Sequence, residues 1–74
     1  MSSFYFSRFF RTAYNQTFVE YLTAYRIRQA VRLLEETEIP VREIAPRVGY
    51  ADAGYFSKVF KRHVGVTPTE YRNH

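Results

Sequence analysis

The sequence contains no cysteine, so it can form neither a disulfide framework nor a thiolate zinc site. No apolar run approaches the roughly 20 residues of a membrane-spanning helix. The start of the chain also lacks the basic, apolar and small-residue regions of a secretory signal. We therefore expect one small soluble domain in the cytoplasm, with no membrane partner.

Residues that could carry catalysis are equally scarce. His63 and His74 are the only histidines, and neither has a partner at a metal-binding helical spacing. The sequence contains no phosphate-binding loop and no nucleophile motif. We predict that the chain is not an enzyme and has no cofactor and no metal site, and we interpret His63 as a helix-packing residue.

The positive charge is concentrated in two segments. The formal net charge is +4. Residues 1–16 contain Arg8 and Arg11 without an acid, and residues 53–65 contain Lys58, Lys61 and Arg62 without an acid. Two separate acid-free segments are typical of a protein that contacts phosphate groups twice, although scattered surface charge is the alternative.

The stretch from Val41 to Arg62 has the pattern of two short helices joined by a turn. Gly49 suits a positive φ at the turn, and Asp52 can cap the second helix. The apolar positions recur at three- and four-residue spacings on each helix: Val41, Ile44, Ala45 and Val48, then Phe56, Val59, Phe60 and His63. This pattern favours a helix-turn-helix and a helical hairpin with a solvated basic face about equally.

A longer helix precedes this stretch. Thr17 and Glu20 can form a capping box at its start, and its apolar stripe predicts a packed face. The stripe comprises Phe18, Tyr21, Leu22, Tyr25, Ala30, Leu33 and Leu34. At about 1.5 Å per residue the helix spans close to 30 Å, near the roughly 34 Å of one DNA turn.

Several motifs resemble the AraC/XylS family of transcription regulators. The run EIAPRVGYADAGYFSKVFKRHVGVTPTEYR matches the C-terminal signature of that family, and SSFYFSRFFRTAYNQTFVEYLTAYRIRQAVRLL resembles its first recognition helix and linking helix. The resemblance implies an all-α, homeodomain-like domain in which a long linking helix joins a partial first and a complete second helix-turn-helix. The expected segments are 1–14 (first recognition helix), 17–37 (linking helix), 40–64 (second helix-turn-helix) and 67–73 (C-terminal helix).

The same resemblance implies sequence-specific binding of double-stranded DNA in transcription regulation, with recognition helices in the major groove. Arg8 is the side chain best suited to a guanine, and Tyr55 is either a base contact or a core residue. The positions implied at the DNA are Ser3, Phe4, Ser7, Arg8, Arg11, Ala53, Gly54, Tyr55, Ser57, Lys58, Lys61 and Arg62. Arg26 matches a characteristic arginine of the linking helix and is either a contact to the DNA backbone or, as we favour, structural. Tyr71 and Arg72 are interpreted as structural.

The sequence departs from the family pattern in three ways. Asn15 replaces the usual glycine at a turn, and Pro46 falls inside a short helix, where it either bends the helix or limits it to one regular turn. Two helices expected before Ser2 do not appear in this sequence, so the N-terminal aromatic residues predict a homodimer.

The acidic end around Glu35 to Glu38 is either an RNA polymerase contact or, as we favour, a solvated loop. A protein-interaction module with incidental basic charge is the alternative function.

Overall fold

The computed structural model describes residues 17–73, and residues 1–16 and 74 lie outside the described part of the chain. Over residues 17–73 the backbone forms four helices and no strand: α1 (Phe18–Glu36), α2 (Val41–Arg47), α3 (Ala53–Val64) and α4 (Pro68–Arg72). The prediction of an all-α fold is confirmed. The predicted first recognition helix, with Ser3, Phe4, Ser7, Arg8 and Arg11, falls outside the described residues.

Capping groups close in sequence set the helix ends. The Thr17 hydroxyl accepts a hydrogen bond from the backbone N–H of Glu20 at 3.0 Å, at the start of α1. Thr67 and Glu70 bond each other's backbone N–H groups at 3.1 and 2.9 Å, which is the capping box of α4. Gly65 ends α3 with a φ of 101°, a left-handed conformation that glycine adopts without steric cost. Each helix therefore begins or ends where a nearby side chain or glycine satisfies its free backbone groups.

One cluster of buried side chains joins α1, α2, α3 and the turn between the last two. Its members are Ile27, Ala30, Leu34, Ile44, Ala45, Val48, Tyr50, Phe56, Val59 and Phe60. Phe56 and Phe60 are fully buried, with ring centroids 5.9 Å apart. Burial of each such ring contributes about 1.5–3 kcal/mol, so these two phenylalanines anchor α3 to the rest of the fold.

The predicted core stripe of α1 is wrong in its N-terminal half. Ile27, which the stripe omitted, is buried, whereas Tyr21 and Tyr25 are 41% and 47% exposed. Successive residues turn by about 100° around a helix, so Tyr25 and Ile27 lie roughly 200° apart. The stripe combined two opposite faces of α1, and α2, α3 and α4 pack only on the face that carries Ile27, Ala30 and Leu34.

Helix α4 holds the C-terminal end of α1. The Tyr71 hydroxyl donates to the Glu35 carboxylate, and the Arg72 guanidinium donates to the backbone carbonyl groups of Leu33, Leu34, Thr37 and Ile39. The hydrogen bond to Glu35 raises the pKa of Tyr71 above its ordinary value, with smaller effects of the same sign from burial and from the charge of Glu35. The structural interpretation of Tyr71 and Arg72 is therefore confirmed.

Candidate nucleic-acid interface

The turn between α2 and α3 is a complete Schellman motif. Gly49 has a φ of 109°, its N–H donates to the Pro46 carbonyl at 3.2 Å, and the Tyr50 N–H donates to the Ala45 carbonyl at 2.8 Å. Ala45 is fully buried at the contact between the two helices. A small buried residue and, four positions later, a glycine with positive φ are the features of a helix-turn-helix turn.

Pro46 lies inside α2, one residue before the helix ends. Its missing N–H removes one hydrogen bond of the helix, but its carbonyl accepts from Gly49 in the turn. The helix is therefore regular beyond its first turn, and the proline occupies an exposed position near the C-terminal end.

Helix α3 divides into a buried and an exposed side. Phe56, Val59 and Phe60 face the core at spacings of three and four residues. Asp52 caps the helix by accepting from the backbone N–H groups of Gly54 and Tyr55 at 2.8 and 3.3 Å. Because Asp52 precedes the helix, α3 itself contains no acidic residue, and its cations are not neutralised from within the helix.

The predicted DNA-facing residues of α3 occupy two environments. Gly54, Lys58, Lys61 and Arg62 are exposed, whereas Ser57 is half-buried. Ala53 is half-buried too and packs against the core. Tyr55 is 59% exposed, so the alternative interpretation of Tyr55 as a core residue is wrong.

The interpretation of His63 as a packing residue is also wrong. His63 is exposed, and the next residue, Val64, packs against the core instead. The helix spacing did not distinguish these two neighbours, because His63 lies four residues after Val59 and Val64 lies four residues after Phe60, and both of those residues are buried. His63 thus extends the exposed basic side formed by Lys61 and Arg62.

A groove runs between the N-terminal half of α1 and α3. Its walls include Val19, Thr23 and Arg26 from α1 and Tyr55 and Arg62 from α3. At its base the guanidinium carbon of Arg26 lies 5.5 Å from the centre of the Tyr50 ring. The sequence predicted a structural role for Arg26, but the ring on which it packs becomes visible only when α1 and the turn are placed together.

Among residues 17–73, no cluster of three His, Asp or Glu side chains is placed to hold a metal ion. None of the described helices is long and apolar enough to cross a membrane. On the exposed side of α3, Tyr55 and Ser57 offer hydroxyl groups for hydrogen bonds, and Lys58, Lys61 and Arg62 offer cations for charge pairing.

Comparison with known proteins assigns this arrangement to a family. A family model described as "Helix-turn-helix domain" matches residues 1–74, the whole chain. This chain belongs to the AraC/XylS family. The matching model, the transcription regulators among its relatives and a DNA-bound structural neighbour support sequence-specific DNA binding in transcription regulation as the function of this domain.

Curated relatives agree with that membership. The chain is 47% identical over 64 residues to the HTH-type transcriptional activator RhaR of Enterobacter sp. (strain 638), covering 86% of this chain and 23% of RhaR. It is 40% identical over 72 residues to the regulatory protein SoxS of Salmonella typhimurium, covering 97% of this chain and 67% of SoxS. The chain thus spans about a quarter of the length of RhaR.

Solved structures show the same fold. The C-terminal domain of AraT, a response regulator from Geobacillus stearothermophilus, has a TM-score of 0.96 and 42% identity, covering 99% of this chain and 60% of that one. The DNA-binding domain of AdpA, solved in complex with a target DNA, has a TM-score of 0.93 and 34% identity, covering 99% of this chain and 66% of that one. These AraC-type neighbours confirm the predicted helix-turn-helix fold.

Proposed function

We propose that α3 enters the major groove of the DNA and that its exposed side supplies the contacts. One observation carries this proposal: Phe56, Val59 and Phe60 bury one side of α3, and the other side presents Lys58, Lys61 and Arg62 with no acid in the helix. A helix of this kind, set at an angle by a helix-turn-helix turn, matches the dimensions of a major groove. The similar DNA-binding domain of AdpA was solved in complex with a target DNA, which supports DNA binding by this fold.

The contacts divide into base readout and phosphate binding. Tyr55 is the most exposed aromatic residue of α3, and Ser57 carries a hydroxyl, so we assign them to base edges. Ala53 and Gly54 permit close approach but offer no hydrogen-bonding side chain. Lys58, Lys61 and Arg62 carry flexible cations, which we assign mainly to phosphates. Sequence discrimination by α3 is therefore narrow.

The length of α1 supports a second contact one turn along the duplex. Its 19 residues span about 28 Å at 1.5 Å per residue, close to the pitch of B-form DNA. We propose that residues 1–14 form the first recognition helix and that Ser3, Phe4, Ser7, Arg8 and Arg11 lie at that second groove. A single chain would then read two adjacent half-sites without dimer symmetry.

The remaining candidate partners are RNA polymerase and a second copy of the chain. We propose that the acidic end of α1 is a solvated surface rather than a contact with RNA polymerase, because Glu35 accepts from Tyr71 and Glu36 pairs with Arg32 at 3.3 Å. We retain self-association through the N-terminal aromatic residues as a hypothesis. Sedimentation equilibrium of the chain tests it, and a monomer at tens of micromolar would contradict it.

We propose no catalytic role, because the curated relatives bear the names of transcription regulators. A regulator of this class acts where bacterial DNA is, so we place it in the cytoplasm.

The protein-interaction alternative predicts that binding to a duplex is weak and insensitive to salt.

The test is fluorescence anisotropy on a random-sequence duplex at several salt concentrations. Each phosphate contact contributes about 0.9 to the slope of log affinity against log salt, so Lys58→Ala/Lys61→Ala is expected to lower that slope by about 1.8. The matched control is Arg28→Ala/Arg32→Ala, which removes two exposed cations from α1 on the side away from Ile27.

The control variant should retain the wild-type slope, because its cations lie on another surface. Equal slopes for the two double variants would refute the assignment of α3 to DNA. Absence of binding by the wild-type chain would instead favour the protein-interaction alternative.

A further inference from the structure

Arg26 joins the linking helix to the helix-turn-helix turn. Its side chain is half-buried and crosses from α1 to the turn, where its guanidinium carbon lies 5.5 Å from the centre of the Tyr50 ring. Tyr50 itself is only 8% exposed. A planar guanidinium over a largely buried aromatic face is a cation–π contact that holds both groups in place.

The backbone of the turn is shaped to admit this side chain. A Cβ added at Gly49 would lie 2.7 Å from Nε of Arg26, closer than real Cβ atoms approach, and 3.0 Å from Cζ, which is a tight contact. A side chain at Gly49 would be strained by the φ of 109° and would also displace the Arg26 side chain from its position above the turn. Gly49 and the Arg26 side chain are thus in contact although they are 23 positions apart in the sequence.

Tyr50 continues the contact toward the DNA-facing side. Its ring centroid lies 6.0 Å from that of Tyr55, which is 59% exposed, and 5.6 Å from that of Phe56 in the core. Arg26, Tyr50 and Tyr55 thus form a continuous series of packed planar groups. The series begins on α1 and ends on a residue that we assign to base contact.

The charge of Arg26 has no ionic partner in residues 17–73. The one ion pair that the structure shows there joins Arg32 and Glu36. Packing on Tyr50 and beside Gly49 therefore accounts for the position of Arg26.

We propose that Arg26 is a positioning residue: by holding Tyr50 against α1, it fixes the orientation in which Tyr55 meets the base edges. This inference rests on the proposed placement of α3 in the major groove. It predicts that Arg26 affects discrimination between sequences rather than the electrostatic attraction to DNA, and that its effect passes through Tyr55.

The experiment measures anisotropy on two duplexes, one selected by the wild-type chain from a random pool and one unselected, over a series of salt concentrations. Arg26→Ala is expected to lower the ratio of the two affinities about fivefold, the equivalent of one cation–π contact, with an unchanged salt slope. Arg26→Lys should recover part of the loss at most, because an ammonium lacks the flat face. Arg28→Ala, an equal loss of charge two residues away, should leave the ratio unchanged.

A double-variant cycle supplies the decisive readout. If Arg26 acts through Tyr55, then Arg26→Ala/Tyr55→Ala should discriminate no worse than Tyr55→Ala alone. Additive effects of the two substitutions on the affinity ratio would overturn the proposal. It would also be overturned if Arg26→Ala lowered the salt slope by about 0.9 and left the affinity ratio unchanged, because that result indicates a phosphate contact. Far-UV circular dichroism checks folding, and if Arg26→Ala unfolds, the same cycle is measured with Arg26→Lys.

The outcomes also separate this inference from the proposed function. If Tyr55→Ala leaves the affinity ratio unchanged, Tyr55 does not read bases and the role of Arg26 is refuted, whereas the salt slope of Lys58→Ala/Lys61→Ala tests the placement of α3 separately. If Tyr55→Ala lowers the ratio but is additive with Arg26→Ala, the placement of α3 stands and only the role of Arg26 is refuted.

Discussion

Replacement of Arg72 by alanine should destabilise the domain more than any other loss of a single charge in α1 or α4. The Arg72 guanidinium is half-buried and donates to four backbone carbonyl groups around the C-terminal end of α1. No basic residue lies in the last turn of α1, so Arg72 also supplies positive charge to the negative end of that helix.

The magnitude follows from the quality of these hydrogen bonds. The bond to Ile39 is short and the bond to Thr37 has a normal length of 3.1 Å, whereas those to Leu33 and Leu34 are long at 3.4 Å. Counting only the two good bonds at about 1.5 kcal/mol each, Arg72→Ala should cost about 3 kcal/mol. A domain of 74 residues is stable by about 4–11 kcal/mol, so the variant loses a large share of its stability.

Urea denaturation at neutral pH, followed by circular dichroism, measures this loss. The matched control is Arg32→Ala, whose side chain is 63% exposed and pairs with Glu36 four residues on, a contact of about 0.3–0.5 kcal/mol. Arg72→Lys keeps the charge, but its ammonium cannot reach several carbonyl groups at once. Its free energy of unfolding should therefore lie between those of Arg72→Ala and Arg32→Ala. An Arg72→Ala variant within 0.5 kcal/mol of the Arg32→Ala control, on the order of one surface pair, would refute the reasoning.

Two further predictions concern single hydrogen bonds. Asp52→Ala removes the carboxylate that accepts from the backbone N–H groups of Gly54 and Tyr55, and it should lower the free energy of unfolding by about 1 kcal/mol. Asp52→Asn should keep most of that stability, because its side-chain oxygen can still accept these bonds. Equal losses for the two variants in urea titrations would contradict the capping role. Tyr71→Phe removes the bond to Glu35. Because that bond raises the pKa of Tyr71, its stabilisation is present below pH 10.0, the ordinary tyrosine value, and is lost as pH rises through the raised pKa. The stability gap between wild type and Tyr71→Phe should therefore close in alkaline solution, and a gap constant with pH would contradict it.

The turn and the helix starts were predictable because they depend on groups a few residues apart. Thr17, Asp52 and Thr67 bond to backbone groups within three residues, and Gly49 closes a turn whose partners lie at Ala45 and Pro46. The family was equally visible in the sequence, since its signature residues are those of this turn and of α3.

Which side of each helix is buried required the tertiary structure. Tyr25 and Ile27 are both apolar enough for a core, and only the packing of α2, α3 and α4 on one side of α1 buries Ile27 and leaves Tyr25 exposed. The exposure of Tyr55 and His63 depends in the same way on which side of α3 packs against the core.

By itself, then, the sequence determined the family, the helical class and the local signals that start and end each helix, because those depend on short-range hydrogen bonds and backbone conformations. Only the tertiary structure decided that Arg72 holds the end of α1 and that Arg26 packs into the space above Gly49. Both contacts join residues more than 20 positions apart. No local preference specifies such pairs, because they exist only after burial of the core brings α1 against the turn and α4.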